Sequence, residues 1–149
     1  MTPTAYRHIL WATDLLDDNH LVGERAAELA RLYQAKLSLL HVLETYPLYV
    51  GQEMVLVDTL ELEVALEKRA REQMQALAAR FNVDEANAHV TMDVTKSGIL
   101  AFASAEKVDL IVIGSHSRKG FAHLLGSTAR AVVNTASCDV LAVRVSPKD

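Results

Sequence analysis

Short, nearly continuous apolar runs alternate along the chain with segments in which apolar residues recur at helical spacing. Three of these runs, HILWATD at 8–14, KLSLLHV at 36–42 and VDLIVIG at 108–114, contain few polar interruptions. Runs of this kind are typical of strands that are buried on both faces of a sheet. The segment at 88–94 alternates in part, and the closing run at 139–145 is again mostly apolar. The pattern therefore predicts five strands.

The segments between these runs predict helices. Asp17 or Asp18 is expected to cap the first helix, because a short side-chain oxygen can accept from a free backbone N–H at a helix start. Two shorter helices are predicted at 97–107 and 127–137. Each predicted helix therefore lies between two predicted strands.

The longest helix is predicted from about Val55 to Phe81, where charged residues fill the face opposite an apolar stripe. The stripe consists of Leu62, Leu66, Ala70, Met74, Leu77 and Phe81. The segment before this helix, 43–54, contains Pro47 and Gly51, and these residues favour a loop.

Strands that alternate with helices predict an α/β fold, a five-stranded parallel sheet with helices on both faces and right-handed crossovers. No break in composition and no linker divides the chain, so we expect a single domain over residues 1–149. In sheets of this class, ligands bind beyond the carboxyl ends of the strands. Attention therefore falls on Asp14, Val42, Asp93 and the loop that starts at Gly114.

Composition narrows the range of partners and compartments. The chain has 149 residues, half of them hydrophobic, and a formal net charge of −4, which argues against nucleic acid as the main partner. The N-terminal residues lack a long apolar segment after a basic start, so we expect no secretory signal. No apolar run reaches the ~18 residues that a membrane span needs. Cys138 is the only cysteine, so an internal disulfide is excluded. We expect a soluble, cytoplasmic protein with no membrane partner.

The stretch GSHSRKGFAHLLGSTAR at 114–130 has the composition of a phosphate cradle. Glycine lets a backbone approach a phosphate closely, and a helix start offers unpaired N–H groups. Gly126, Ser127 and Thr128 are predicted to open a helix, with Ser127 or Thr128 as its cap. Arg118 and Lys119 add positive charge.

Turn and cap chemistry alone also explains such a loop, because loops between strands and helices commonly carry Gly, Ser and Thr. The chain contains neither G-x-x-x-x-G-K-[ST] nor a G-x-G-x-x-G after its first strand. These phosphate-binding signatures therefore do not decide between the two interpretations.

Four segments taken together resemble the universal stress protein family. They are HILWATD, LSLLHV, DLIVIGSHSRKGFAHLLGSTARAVV and DVLAVRV, in the order in which the family has them. The resemblance covers almost the whole chain. It implies a Rossmann-like sheet of the adenine nucleotide alpha hydrolase-like type. It also implies a homodimer in which the last strand, Val140 to Val145, pairs with its copy.

The resemblance further implies ATP as a ligand, with Mg²⁺ as a possible companion, because some family members carry Gly-x2-Gly-x9-Gly-[Ser/Thr]. Gly114 matches the first glycine, and Gly126 with Ser127 matches the final pair. The second glycine falls on Ser117, and eight residues rather than nine follow it. If this position needs a left-handed backbone, serine costs about 1–2 kcal/mol.

The resemblance assigns the remaining contacts residue by residue. Asp14 matches the acid that faces the ribose or adenine, and Val42 matches the residue whose backbone contacts the adenine. His116 lies in the loop, close enough in sequence to touch a phosphate. The candidate nucleotide-binding residues are Ala12, Asp14, Val42, Gly114, His116, Ser117, Arg118, Gly126, Ser127 and Thr128.

Two other functions are weighed against a nucleotide-binding stress protein. The first is a dimer of the family's founding type, which binds no nucleotide and acts as an interaction protein. The second is a phosphoacceptor receiver domain, since Asp14, Asp17 and Asp18 follow the first strand. That design needs a lysine after the fifth strand, and Lys148 comes too late in the chain.

Enzymatic turnover is not predicted, because no nucleophile stands beside a recognisable base and the histidines lack metal-ligand spacing. At most, the resemblance allows weak ATP hydrolysis or autophosphorylation. Trp11 and Tyr33 are expected in the core, and Cys138 is expected to be a small buried hydrophobe.

Overall fold

A computed structural model describes residues 5–16, 20–44, 48–50, 53–55, 59–115 and 125–145. The strands are β1 (His8–Ala12), β2 (Lys36–Leu43), β3 (Leu48–Val50), β4 (Glu53–Val55), β5 (Ala88–Met92), β6 (Leu110–Gly114) and β7 (Asp139–Val143). The helices are α1 (His20–Tyr33), α2 (Thr59–Arg80), α3 (Thr95–Ala105) and α4 (Ser127–Thr135), with a short 3-10 helix at Glu85–Asn87.

Five strands form one sheet in the order β5-β2-β1-β6-β7, and every neighbouring pair is parallel. The predicted five-stranded parallel sheet is therefore confirmed. The chain builds outward from β1 in one direction through β2 and β5, and then in the other through β6 and β7. Strand order consequently reverses between β1 and β6.

The side chains of β1 divide between two apolar layers, as the alternation of a strand requires. Ile9 and Trp11 belong to a cluster that also contains residues of α1 and α2. Leu10 and Ala12 belong to a second cluster, with residues of α3 and α4. Helices cover both faces of the sheet, which explains why the strand sequences are apolar without interruption.

The prediction of a plain loop at 43–54 is wrong in part. Leu48–Val50 and Glu53–Val55 form a two-stranded antiparallel pair, in which Leu48 is opposite Val55. Each strand has only three residues, too few to show the alternation of a strand. The turn residues Pro47 and Gly51 therefore dominated the prediction from the sequence. Val55 therefore ends a strand, and α2 begins later than predicted, at Thr59.

The apolar stripe predicted on α2 is buried along only part of its length. Ala70 and Met74 are 4% and 2% exposed, whereas Leu62 and Leu66 are 53% and 43% exposed. The early turns of the helix therefore carry apolar residues that the core does not bury. Within the described ranges, no helix, α2 included, combines the length and apolarity needed to cross a membrane.

The predictions for single core residues had mixed outcomes. Trp11 is fully buried, as expected. Tyr33 is 43% exposed, so its placement in the core is wrong. Its ring stands edge-on to that of Tyr6, with centroids 5.0 Å apart. Cys138 is half-buried. Desolvation raises the pKa of its thiol, so the neutral form is favoured.

Candidate functional site

The carboxyl ends of β1 and β6 lie side by side at the point where strand order reverses. Ala12 is opposite Ile113, and Gly114 is the last residue of β6. From this edge, β1 leads to a helix on one face of the sheet and β6 leads to a helix on the other. Two connections that diverge in this way leave a crevice, which is the usual ligand position in open α/β sheets.

The turn after β1 carries Asp14 and is held by hydrogen bonds. The N–H of Leu16 donates to Asp14 Oδ1 at 3.0 Å, and the N–H of Leu15 donates to Thr13 Oγ1 at 3.0 Å. His41 Nδ1 donates to the carbonyl oxygen of Thr13 at 2.8 Å, which ties the turn to β2. Asp14 is exposed, so its carboxylate is presented at the edge of the sheet on a fixed backbone.

The two ends of the loop after β6 meet at Ser115. The N–H of Gly126 donates to the Ser115 carbonyl at 2.8 Å, and the N–H of Ser115 donates to the Val143 carbonyl at 2.9 Å. The N–H of Val145 donates to Ser115 Oγ at 3.2 Å. Ser115 therefore closes the base of the loop and joins it to the last strand.

The start of α4 differs from the prediction that Ser127 or Thr128 caps it. Gly126 is the N-cap residue, and in the described part of the chain no side chain caps the helix. The first-turn N–H groups, from Ser127 to Ala129, precede the first intrahelical donor, Arg130, which donates to the Gly126 carbonyl at 2.9 Å. Uncapped N–H groups at a helix start can bind an anion. The Gly126 N–H itself is already paired with Ser115, so it is not one of them.

Three of the predicted contacts, His116, Ser117 and Arg118, lie outside the described residues. Their roles at the phosphates stay predictions. The structure brings Ala12, Asp14 and Gly114 to one edge of the sheet. Gly126, Ser127 and Thr128 follow at the other end of the loop, which Ser115 and Gly126 close.

Val42 lies one strand away from this edge, and α3 packs closely against it. Val42 is 6% exposed. A Cβ atom placed on Gly98 would lie 2.8 and 2.9 Å from its two γ-methyl carbons. The end of β2 is also joined to the segment before α3, because the N–H of Asp93 donates to the Leu43 carbonyl at 3.2 Å. The backbone around Val42 therefore has little freedom to shift.

Glu44, directly after β2, accepts two hydrogen bonds at the start of α3. Its Oε1 accepts from the N–H of Thr95 at 2.7 Å and from the Thr95 hydroxyl at 2.6 Å. These bonds hold the pKa of Glu44 below its ordinary value.

Gly98 could have been singled out from the sequence, since glycine inside a helix often marks close packing. Glu44 and Ser115 act through contacts distant in sequence, which no local pattern shows.

We expect Glu44→Ala to lower the free energy of unfolding by about 1 kcal/mol at neutral pH, the usual cost of losing a helix cap. The pKa of Glu44 is depressed in the folded state, so its stabilisation is complete above the unfolded value of about 4.3. It is lost as the pH falls through the lower, folded value. Urea denaturation from neutral to acidic pH should therefore show the two proteins converging in acid.

Glu44→Gln is the matched control for this prediction, because it keeps an acceptor oxygen and removes only the charge. It should fall between the wild type and the alanine variant at neutral pH. A difference between wild type and Glu44→Ala that is constant down to strongly acidic pH would contradict the role of the ionised carboxylate.

One serine does stand beside a histidine, although not at this edge of the sheet. His8 Nδ1 donates to the Glu106 carbonyl at 3.0 Å, so Nε2 is the acceptor for the Ser38 hydroxyl at 2.7 Å. Ser38 is 1% exposed, and His8 begins β1, at the opposite end of the strand from Asp14. The pair is therefore a buried hydrogen-bond network that a substrate cannot reach.

The described residues also contain no group of three or more His, Cys, Asp or Glu side chains that could hold a metal ion. Among the described residues at the ends of β1 and β6 and at the start of α4, the groups present are backbone N–H groups, hydroxyls and the Asp14 carboxylate. Such a donor set fits a phosphorylated ligand with a polar sugar.

Comparison with known proteins agrees with this fold. The model of the universal stress protein family matches residues 5–144. Universal stress protein A homolog 1 of Coxiella burnetii is 38% identical over 138 residues, which cover 93% of this chain and 96% of that protein.

Solved structures of low sequence identity share the fold. The universal stress protein UspA from Lactobacillus plantarum superposes with a TM-score of 0.78 at 24% identity, covering 95% of this chain and 100% of that one. A universal stress protein solved in complex with cAMP has a TM-score of 0.59 at 22% identity, covering 96% and 100%.

Proposed function

The chain belongs to the universal stress protein family, and from this membership we propose that it binds an adenine nucleotide, ATP, as a regulatory ligand in the stress response. The observation that carries the proposal is the start of α4. Its first N–H groups have no side-chain cap among the described residues, and it lies at the end of a loop whose base is closed at the reversal of strand order. A phosphate group is the natural partner for such N–H groups.

Each described candidate has a role that its position allows. Asp14, exposed on a fixed turn, would accept hydrogen bonds from ribose hydroxyls. The backbone at Val42, held by α3, would face the adenine, and Ala12 would line the floor. Gly114 would let the chain pass close to the phosphates, and the hydroxyls of Ser127 and Thr128 would donate to phosphate oxygens.

His116, Ser117 and Arg118 complete the proposed site as phosphate contacts, with Arg118 supplying charge. Mg²⁺ would accompany a triphosphate through the phosphate oxygens, since it prefers few protein ligands at nucleotide sites. A neighbour in fold was solved with cAMP. This supports an adenine nucleotide as the ligand class and leaves the number of phosphates to experiment.

We also propose a cytoplasmic homodimer, formed through residues 140–145. β7 lies at one end of the strand order, so its outer edge pairs with no other strand in the described part. An apolar edge strand is stabilised when a second copy pairs with it. Ser115 joins this strand to the loop base, so a ligand that orders the loop would also act on the dimer edge.

The proposed activity is binding rather than turnover. A ligand shifts a protein between states only through its different affinity for each, and ordering of the loop by ATP would supply such a difference. Weak hydrolysis or transfer of phosphate to a serine or threonine would accompany binding as a side reaction.

Calorimetric titration with ATP should give saturable heat, together with a rise in unfolding temperature. Gly114→Val should weaken binding roughly tenfold, equivalent to ~1.4 kcal/mol, because a branched side chain would hold the phosphates away from the backbone. Valine is a good strand former, so the variant should still unfold cooperatively. GTP, with the same phosphates and a different base, tests the adenine contact at Val42.

A nucleotide-free interaction protein is the second candidate, favoured by Ser117 in place of a glycine and by the Gly126 N–H already being paired. It predicts no heat and no thermal shift at millimolar ATP. It also predicts that Gly114→Val changes only local stability. Either result would overturn the nucleotide proposal and leave the fold unaffected.

A further inference from the structure

The hydrogen-bond ladder between β1 and β2 stops at Thr13, beside the residue proposed to face the adenine. The N–H of Thr13 donates to the Leu40 carbonyl at 2.9 Å. In a parallel ladder, alternate residues of a strand direct their N–H and carbonyl groups to the same neighbour. After Leu40, Val42 is therefore the next residue of β2 that faces β1. The Leu43 carbonyl faces the other way, because it accepts from the N–H of Asp93 at 3.2 Å.

Both groups that would continue the ladder with Val42 are engaged elsewhere. The register would join the Val42 N–H to the Thr13 carbonyl, and the Val42 carbonyl to the Leu15 N–H. The Thr13 carbonyl instead accepts from His41 Nδ1 at 2.8 Å, and the Leu15 N–H donates to Thr13 Oγ1 at 3.0 Å. Neither expected bond forms between these described residues. The ladder therefore ends although β2 continues past it.

The chain turns away from β2 directly after this point. Leu15 has a left-handed backbone with φ of 62°, and the N–H of Leu16 donates to Asp14 Oδ1 at 3.0 Å. Continued pairing with β2 would need an extended backbone at Leu15. The imidazole of His41 therefore holds Thr13 at the last position where β1 contacts β2.

The end of β2 consequently directs one donor and one acceptor toward the end of β1, the Val42 N–H and the Val42 carbonyl. Adenine carries a matching pair on one edge, an acceptor at N1 and a donor at its 6-amino group. Guanine carries the reverse pair, a donor at N1 and an acceptor at O6, so the same pose would place like groups together. A ligand that leaves the polar groups of a site unpaired is strongly rejected.

We propose that His41 is a positioning residue that makes this site select adenine over guanine. By taking the Thr13 carbonyl, its imidazole keeps the Val42 N–H out of the ladder, so that this N–H donates to N1 of the base. His41 thus acts through the backbone of two other residues. The inference rests on the proposed nucleotide binding and adds the reason why the base is adenine.

The test is calorimetric titration of the full chain and of two variants with ATP and with GTP. His41→Phe keeps a ring and removes its nitrogens, so the Val42 N–H should bond to the Thr13 carbonyl. We expect ATP to bind about tenfold more weakly to this variant, with little change for GTP. His41→Asn is the matched control, because its amide nitrogen is attached to Cγ as Nδ1 of histidine is and also donates. It should keep the preference of the wild type for ATP.

Amide hydrogen exchange followed by NMR supplies a second measurement that needs no variant. In the wild type without nucleotide, the Val42 amide should exchange about tenfold faster than the Leu40 amide, which lies one rung earlier in the ladder. Addition of ATP should slow exchange at Val42. Equal protection of the two amides in the free protein would overturn the proposal even if His41→Phe fails to fold.

The binding data separate this inference from the proposed function. Equal losses of ATP and GTP affinity in His41→Phe would overturn the role of His41, as would a His41→Asn variant that binds as His41→Phe does. Both results would leave nucleotide binding by the wild type intact. If the wild type gives no heat with ATP, the proposed function falls and the role of His41 falls with it.

Discussion

Gly23→Ala is expected to lower the free energy of unfolding by about 2 kcal/mol, even though alanine is the better helix former. A Cβ atom at this position would collide with Trp11 Cη2 and would lie 2.7 Å from Phe81 Cζ. Both rings are fixed, because they stand edge to face with centroids 5.1 Å apart, and Trp11 is fully buried. Overpacking costs about 1–3 kcal/mol or more, and helix propensity returns only about 1 kcal/mol.

A double-mutant cycle with Trp11→Phe checks the cause of this loss. Phenylalanine lacks the outer ring carbons of the indole, so Gly23→Ala should cost much less in that background. Trp11→Phe by itself should lower the free energy of unfolding less than most large-to-small substitutions in a core do. Trp11 Nε1 is buried and has no hydrogen-bond partner among the described residues, and removing an unpaired donor recovers part of the lost burial. If urea denaturation gives the same cost for Gly23→Ala in both backgrounds, contact with the Trp11 ring is not the cause of the loss.

Much of the fold follows from the sequence because burial on both faces leaves a strong trace in it. The runs that became β1 and β6 are apolar without alternation, a composition that is typical of strands covered by helices on both faces. The parallel direction of the strands followed from their alternation with helices, whereas the order of the strands in the sheet was not predicted. The expectation from the sequence was wrong where the apolar pattern is very short, as in β3. It was also wrong where the core buries only part of an apolar stripe, as in the early turns of α2.

The exposed stripe on α2 shows the limit of periodicity. Leu62 and Leu66 continue the spacing of Ala70 and Met74, yet the latter pair is buried and the former is not. Helical spacing shows which residues share one face of a helix. It does not show how far along the helix the neighbouring elements cover that face. Tyr33 fails for the same reason, because it lies in the last turn of α1, where a ring can turn to Tyr6 instead of the core.

For the candidate site, the sequence predicted the edge of the sheet at which it lies, but not the hydrogen bonds that hold this edge together. Asp14 and Gly114 could be placed because each lies at the carboxyl end of a strand, and parallel strands end at the same edge. The N-cap of α4 was predicted from residue type to be Ser127 or Thr128, whereas in the structure Gly126 occupies this position. Ser115 and Glu44 hold the edge together through partners up to 51 residues away, and such pairings depend on the folded topology.

Gly98→Ala should couple stability to ligand binding, since the added methyl meets the residue proposed to face the adenine. Its Cβ would lie within 2.9 Å of both Val42 γ-methyl carbons and 3.3 Å from Asp93 Cβ. Val42 is β-branched and stiff, and Asp93 is tied to Leu43, so β2 and α3 have to separate. We expect a loss of about 1–2 kcal/mol in the free energy of unfolding, after allowance for helix propensity.

The same displacement should weaken ATP binding about tenfold, because the backbone of Val42 would move relative to Asp14 by a fraction of an ångström. The double variant Gly98→Ala/Val42→Ala separates this cause from general destabilisation. It removes the methyls that collide and keeps the backbone groups that would contact the base, so affinity should return although the protein stays less stable than the wild type. Calorimetry with ATP on the three proteins measures this, and a double variant that binds as weakly as Gly98→Ala would show that Val42 does not face the adenine.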